Sequence, residues 1–445
     1  MSFFLTEVLA ALDEGGDRPL FHAGGVTTYH QARDRLRRLH GGLGDGGTVA
    51  VDLRNRPETV LVQLAALLRG ATVVMIPASA PTQDRFAAAR GATVVTDRPQ
   101  DWPGADPRTL ADLDGEPEPL DLPARVDLRF PTGGTTGAPK LIRHSGIYDG
   151  MAHIFAPHPD GPGRTLLVAP MTHMTGNATV LGALLRRDTV VLHDGFDAGA
   201  VLDAIQAHRI DTLSLTPPRL AALLDHPRRP ETDLGSVRSL SLGAAPLPPH
   251  RLAQALDVFG PVVGQGYGLT EAPMIASISA AELIGHPGRL GSVGRIVPGM
   301  EARITEAGEI EVRGLSMMDG YVGAPDVGAG WLRTGDLGRF DDEGYLYLLD
   351  RADDVVVVGE HGTKVPTTAV EHALETHPAV RSAAVFGRGD RLHAVVVAEE
   401  VTEDELQAHA RATFGQEHYV PAKVDFVDAL PLTEVGKVDK RALSS

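Results

Sequence analysis

TVAVDLRNRPETVLVQLAALLRGATVVMIP, residues 48–77, sets two short apolar runs, TVAVDL and ATVVMIP, around a segment whose apolar residues recur at helical spacing, ETVLVQLAALLRG (58–70). Short buried runs separated by a helix of about three turns are the pattern of parallel strands joined by right-handed crossovers. The pattern continues further along. RTLLVAP (164–170), NATVLGALLRR (177–187) and TVVLH (189–193) form a second such unit, followed by AGAVLDAIQAHR (198–209) and DTLSLTP (211–217). The expected fold class is therefore α/β, with mixed sheets in a large N-terminal body.

At 445 residues the chain exceeds one compact core and suits two or three domains. A boundary is expected near residue 350. Before it, WLRTGDLGRFDDEGYLYLLD (331–350) reads as turns and a hairpin. After it comes a unit with its own strands, DVVVVG, AAVFG and HAVVVAEE, and two helices expected to start with capping boxes, Thr368 with Glu371 and Thr402 with Glu405. Residues 1–350 thus read as a large body and 351–445 as a small α+β cap. The acid- and proline-rich stretch at 97–125 is expected on the surface, and His22, His30 and His40, which show no i,i+4 metal spacing, are expected at surface or loop positions.

With 41 basic and 58 acidic side chains the formal charge is −17, which argues against a nucleic acid or an anionic membrane as partner. The absence of cysteine excludes disulfides, thiolate metal sites and cysteine nucleophiles. The N-terminal MSFFLTEVLAALDEGG lacks the basic flank of a secretory signal, and apolar runs such as TVLVQLAALL are too short to span a bilayer. A cytoplasmic protein, monomeric or homodimeric, is expected.

FPTGGTTGAPK (130–140) follows the alternating run RVDLRF (125–130). Its glycines let backbone N–H groups converge on one anion, its threonines add neutral donors, and Lys140 adds a point charge. The spacing is neither a Walker loop nor GxGxxG. The choice between a flexible turn and a phosphate cradle tilts toward the cradle, because linkers rarely carry three threonines and a Pro-Lys. Three further stretches carry chemistry. GQGYGLTEAP (264–273) offers the Tyr267 ring, the Thr270 hydroxyl and the Glu271 carboxylate on one turn. TGDLG (334–338) isolates Asp336 between glycines, and PLTEVGKVDKRAL (431–443) presents Lys437 on a glycine-bearing loop.

In this order and spacing the four motifs resemble those of the AMP-forming adenylating superfamily: acyl-CoA ligases, peptide-synthetase adenylation domains and luciferases. The resemblance extends from TTYHQARDRLRRLHGGL (27–43) to Lys437. It implies attack of a carboxylate on the α-phosphate of ATP, giving acyl-AMP and pyrophosphate, then displacement of AMP by a thiol or an amine. By this resemblance Thr132, Gly133, Gly134, Thr135, Thr136, Gly137 and Lys140 would hold the β- and γ-phosphates. Tyr267, flanked by Gly266 and Gly268, would stack on adenine beside Gly243, Ala244 and Ala245. Thr270 would touch the α-phosphate, Glu271 would hold Mg²⁺, and Asp336 and Arg351 would grip the ribose. Lys437 would bridge the attacking carboxylate and the α-phosphate, with the cap rotating about Asp353 between half-reactions.

The acid pocket is expected at PMTHMTGN (170–177), with His173, Met174 and Asn177 joined by Gly243, Gly268 and Ala272. Amino-acid-activating relatives usually place an aspartate in this region. Here there is none, so an aryl or short-chain acid without an α-amino group is implied. His173 stands open between guiding the carboxylate, closing the pocket against water, and a structural place. Three departures from the family pattern are visible: Gly134 where serine is frequent, Leu141 where glycine often follows the lysine, and Glu360–His361 in the turn that normally lines the pantetheine tunnel. The last puts thiol access in question. The implied acceptor is the thiol of coenzyme A or of phosphopantetheine on an acyl carrier protein. An amine acceptor is the alternative, and a non-catalytic nucleotide-binding scaffold the remote one.

Overall fold

The computed structural model describes residues 1–44, 46–131, 140–359 and 362–444. The opening stretch folds as strand Thr48–Asp52, helix Pro57–Leu68 and strand Thr72–Met75, the two strands being parallel. Residues 59–68 of that helix are buried on all sides, because the helix is sandwiched between layers rather than lying at the surface. A six-stranded sheet forms here, in the order 320–321, 141–144, 127–131, 72–75, 48–52, 93–96. The second unit builds a nine-stranded sheet whose centre, strands 189–192, 164–167, 212–215, 239–243 and 263–267, is parallel. Antiparallel strands close its ends, so both large sheets are mixed.

A third, antiparallel sheet of four strands covers 300–351. Its last hairpin, Leu332–Phe340 with Leu346–Arg351, is the one expected from the sequence and sets Asp336 opposite Arg351. Beyond it, strands Val380–Arg388, Arg391–Ala398 and Lys423–Phe426 pack with helices Thr367–Leu374 and Glu403–Phe414 around Val365, Val370, Leu374, Val385, Val396 and Leu406. This cluster contains only residues from 356 onward. No helix among the described residues is long and apolar enough to cross a membrane.

Two expectations need correction. The Thr402–Glu405 capping box forms, but Thr368 does not cap its helix; it is the second helical residue. The helix start is capped from outside by Asp350, which accepts the Thr367 and Thr368 amides and both hydroxyls. Glu371 accepts the Val385 amide and pairs with Lys440 at 2.7 Å. His40 is not a surface residue. It sits 1% exposed within helix Tyr29–Leu43, and burial, followed by the charge of Arg69, pushes its pKa down.

Candidate active site

Strand Val263–Tyr267 ends at the Tyr267 ring, and the next turn is tight. The Ile275 amide donates to the Tyr267 carbonyl and the Leu269 amide to the Ala272 carbonyl. A Cβ on Gly268 would stand 2.2 Å from the Pro273 carbonyl oxygen, so only glycine fits there. Tyr267 Oη donates to Asp336 Oδ2 at 2.6 Å, while the Arg351 guanidinium reaches Asp336 Oδ1 at 3.1 Å. Burial raises the Asp336 pKa, opposed by the Tyr267 bond, by Arg351 and by Lys437. Burial also raises the Tyr267 phenol, with the Asp336 charge acting in the same direction. Ala244, at the end of strand Ser239–Gly243, has φ 68°, a left-handed conformation that costs a side-chain-bearing residue about 1–2 kcal/mol.

Thr270 and Glu271 are set by residues that carry no local motif. The buried His144 ring donates from Nε2 to the Thr270 carbonyl at 2.7 Å, and desolvation lowers its pKa to about 4. Tyr321 Oη donates to Glu271 Oε1 at 3.0 Å. The Lys140 ammonium lies 5.2 Å from the centre of the Tyr321 ring. Burial, then the Glu271 charge, pushes the Tyr321 phenol up to about 12, so it stays a donor. Lys140, Tyr321 and Glu271 therefore form one row of cation, ring and carboxylate. Thr132, Gly133, Gly134, Thr135, Thr136 and Gly137 lie outside the described residues, as do Glu360 and His361.

A Mg²⁺ ion fits this row. Among the described residues no group of three or more His, Asp or Glu side chains is gathered for a metal. Glu271 uses one oxygen on Tyr321, and a single carboxylate complemented by phosphate oxygens is the ligand set Mg²⁺ prefers.

On the acid side, His173 stands at the N-cap of helix Met174–Leu185. Its loop is held by Asn55, whose amide donates to the Ala169 and His193 carbonyls and whose carbonyl oxygen accepts the Met171 amide at 2.9 Å. Asn177 is fully buried, and its amide donates to Gln63 Oε1 and the Met171 carbonyl. Its side chain is thus engaged in holding the loop onto helix Pro57–Leu68. Met174 and Ala272 are buried as well.

Lys437 reaches this cleft from the cap. Gly436 has φ 80°, and a Cβ there would stand 2.6 Å from Arg219 Nε. The Thr216 hydroxyl donates to the Gly436 carbonyl at 2.9 Å, and Arg219 donates to the Glu434 carbonyl at 2.8 Å. Desolvation lowers the Lys437 pKa, the Arg351 charge acts likewise, and Asp336 opposes both. The residue as a whole still keeps solvent exposure. Tyr267, Asp336, Arg351 and Lys437 are thereby brought together, whereas Asp353 lies exposed in the turn after Arg351. The sequence did not single out Asn55, His144 or Tyr321. Their roles depend on partners far along the chain, and only the Gly-Tyr of DGYVG could have drawn notice.

The family model for AMP-binding enzyme matches residues 96–322, and that for the AMP-binding enzyme C-terminal domain matches 369–437. A feruloyl-CoA synthase from an Amycolatopsis species is 33% identical, over 94% of each chain. The solved amide bond synthetase McbA from Marinactinospora thermotolerans superposes with a TM-score of 0.84 at 29% identity, covering 99% of both chains. The o-succinylbenzoate coenzyme A synthetase of Bacillus subtilis, solved with ATP and magnesium ion, gives a TM-score of 0.83 at 26% identity, covering 99% of both chains. Together with the four motifs and the cleft where they meet, these matches show that the chain belongs to the AMP-binding enzyme family, the adenylate-forming acid ligases.

Proposed function

We propose that this protein uses ATP and Mg²⁺ to convert a carboxylic acid without an α-amino group, aryl or short-chain, to its acyl-adenylate, and then transfers the acyl group to the thiol of coenzyme A or of a carrier protein. The observation that carries this reading is the docking of the Lys437 loop on the body, through the Thr216 hydroxyl on the Gly436 carbonyl and Arg219 on the Glu434 carbonyl, which leaves Lys437 in the electric field of Asp336 and Arg351. A fixed ammonium there aligns two anions that would otherwise repel each other and offsets the charge that builds up during in-line attack. Tyr267 and the Asp336–Arg351 pair would hold adenosine, with Gly243, Ala244, Ala245 and Gly266 beside the base. Thr270 would meet the α-phosphate. Thr132–Gly137 and Lys140 would hold the pyrophosphate side. Mg²⁺, held by Glu271, would neutralise phosphate charge. His173, Met174, Gly268 and Ala272 would bound the acid, with Asn177 fixing their loop.

The aromatic acids named for the Amycolatopsis and B. subtilis relatives support an aryl substrate. We assign residues 1–350 to the body and 351–445 to a cap turning about Asp353, in a cytoplasmic monomer or homodimer. Transfer to an amine is the second reading, favoured by the likeness to an amide bond synthetase along the whole chain and by Glu360–His361 in the tunnel turn. Pyrophosphate exchange over a panel of acids, followed by product masses with coenzyme A, carrier protein or amines, tests both. Exchange with no acid would refute adenylation, and an amide as sole product would replace the thiol reading.

A further inference from the structure

Of the contacts that dock the Lys437 loop, those from Thr216 and Arg219 go to backbone carbonyls and would survive any side chain at 434. Two others require the Glu434 carboxylate. The Ser79 amide donates to Glu434 Oε2 at 3.0 Å, and His173 Nε2 lies 3.7 Å from the same oxygen. Ser79 follows strand Thr72–Met75 and His173 immediately precedes helix Met174–Leu185, so one cap carboxylate joins two separate segments of the body. His173 Nε2 is buried and makes no hydrogen bond among the described residues, and the Glu434 carboxylate is the charged group 3.7 Å from it. Burial pushes the Glu434 carboxyl up, but the His173 ring and the Ser79 hydroxyl and amide outweigh it and bring the pKa down to about 2. The group is therefore anionic at neutral pH.

We propose that Glu434 is a positioning residue: its carboxylate clips the Lys437 loop to Ser79 and His173, holding the cap docked for adenylation and the His173 ring at the edge of the acid pocket. This rests on the two-step reading above. The clip can exist only while the cap is docked, so it resists the rotation that the second half-reaction requires. Losing it should slow adenylation and leave transfer unharmed.

The chain has no cysteine, so spin labels can be placed at will. Ala412→Cys on the cap and Arg238→Cys on the body, both exposed, report docking in the full-length protein with ATP and MgCl₂ and no acid. The unclipped reference is Glu434→Gln, which keeps the shape and an oxygen for Ser79 but removes the charge facing His173. A single distance in the parent that broadens or lengthens in Glu434→Gln is expected; identical distributions would overturn the proposal. With an acid found active in the exchange panel, Glu434→Gln should lower the adenylation rate about tenfold and leave transfer from preformed acyl-adenylate equal or faster. Equal losses in both half-reactions would overturn it. In the same acid-free distance measurement His173→Gln should add little broadening to that of Glu434→Gln, and fully additive broadening would overturn the His173 link. If no acid is adenylated by the parent, the enzymatic reading fails while the distance measurement still judges the clip.

Discussion

Lys437 is a cation carried toward the Asp336–Arg351 pair by a segment outside the body's sheets, and its pKa is depressed by desolvation and by Arg351. Removing it would take away the charge proposed to meet the attacking carboxylate and the α-phosphate. Lys437→Ala should therefore lose adenylation by about 10²–10³-fold, judged by pyrophosphate exchange. It should still accept preformed acyl-adenylate in the transfer step. Exchange at the parental rate would refute the assignment. Tyr267 acts on a different quantity. Its 2.6 Å bond orients Asp336, so Tyr267→Phe should raise the KM for ATP about tenfold while kcat changes little. An unchanged KM would mean that Arg351 alone orients the carboxylate.

Helix Thr367–Leu374 takes its N-terminal cap from the strand Leu346–Arg351 rather than from its own flank. Asp350 satisfies two buried amides and two hydroxyls at once, and so ties the cap's first helix to the last strand of the body. Asp350→Ala leaves these donors without partners in a buried place. The expected cost is about 1–3 kcal/mol in urea unfolding, with the cap the first part to melt. Thr402, whose capping box is local and exposed, should cost no more than about 1 kcal/mol when changed to Ala. The contrast explains why both helix starts look alike in sequence. A Thr-x-x-Glu spacing is compatible with a box, but a competing carboxylate from another strand wins where burial makes an external cap worth more.

For the molecule as a whole, the docked cap buries ionisable groups whose charge states depend on packing. Glu375 is pushed up from 4.5 to about 8, chiefly by burial, with the Glu371 charge adding to it and the Ala383 amide and Arg251 opposing. A carboxyl raised in the folded state gives its full contribution below its unfolded pKa and loses it as pH rises through the folded one. Cap stability should fall as pH rises from 4.5 through about 8. Glu375→Gln, which keeps an acceptor for the Ala383 amide, should flatten that slope in urea titrations across this range. His372 has the opposite sign: burial lowers it from 6.5 to about 4, so its contribution is present above 6.5 and lost as pH falls through 4. An unaltered slope in Glu375→Gln would show that Glu375 is not the group responsible.

The alternation of 48–77 was enough to specify parallel strands around a buried helix, because periodicity reports which faces must leave water. The four motifs were legible for a related reason: each packs its chemistry into a short run of consecutive residues, so their types and spacing can be read directly from the chain. The contacts that complete the site were not legible. Tyr321 on Glu271, His144 on Thr270, Asn177 on Gln63 and Glu434 on Ser79 join segments separated by 50, 126, 114 and 355 positions. Nothing in a local pattern encodes such pairs. They exist because the sheets stack and the cap docks in one particular way, which is settled by the packing of whole elements and not by any stretch of chain.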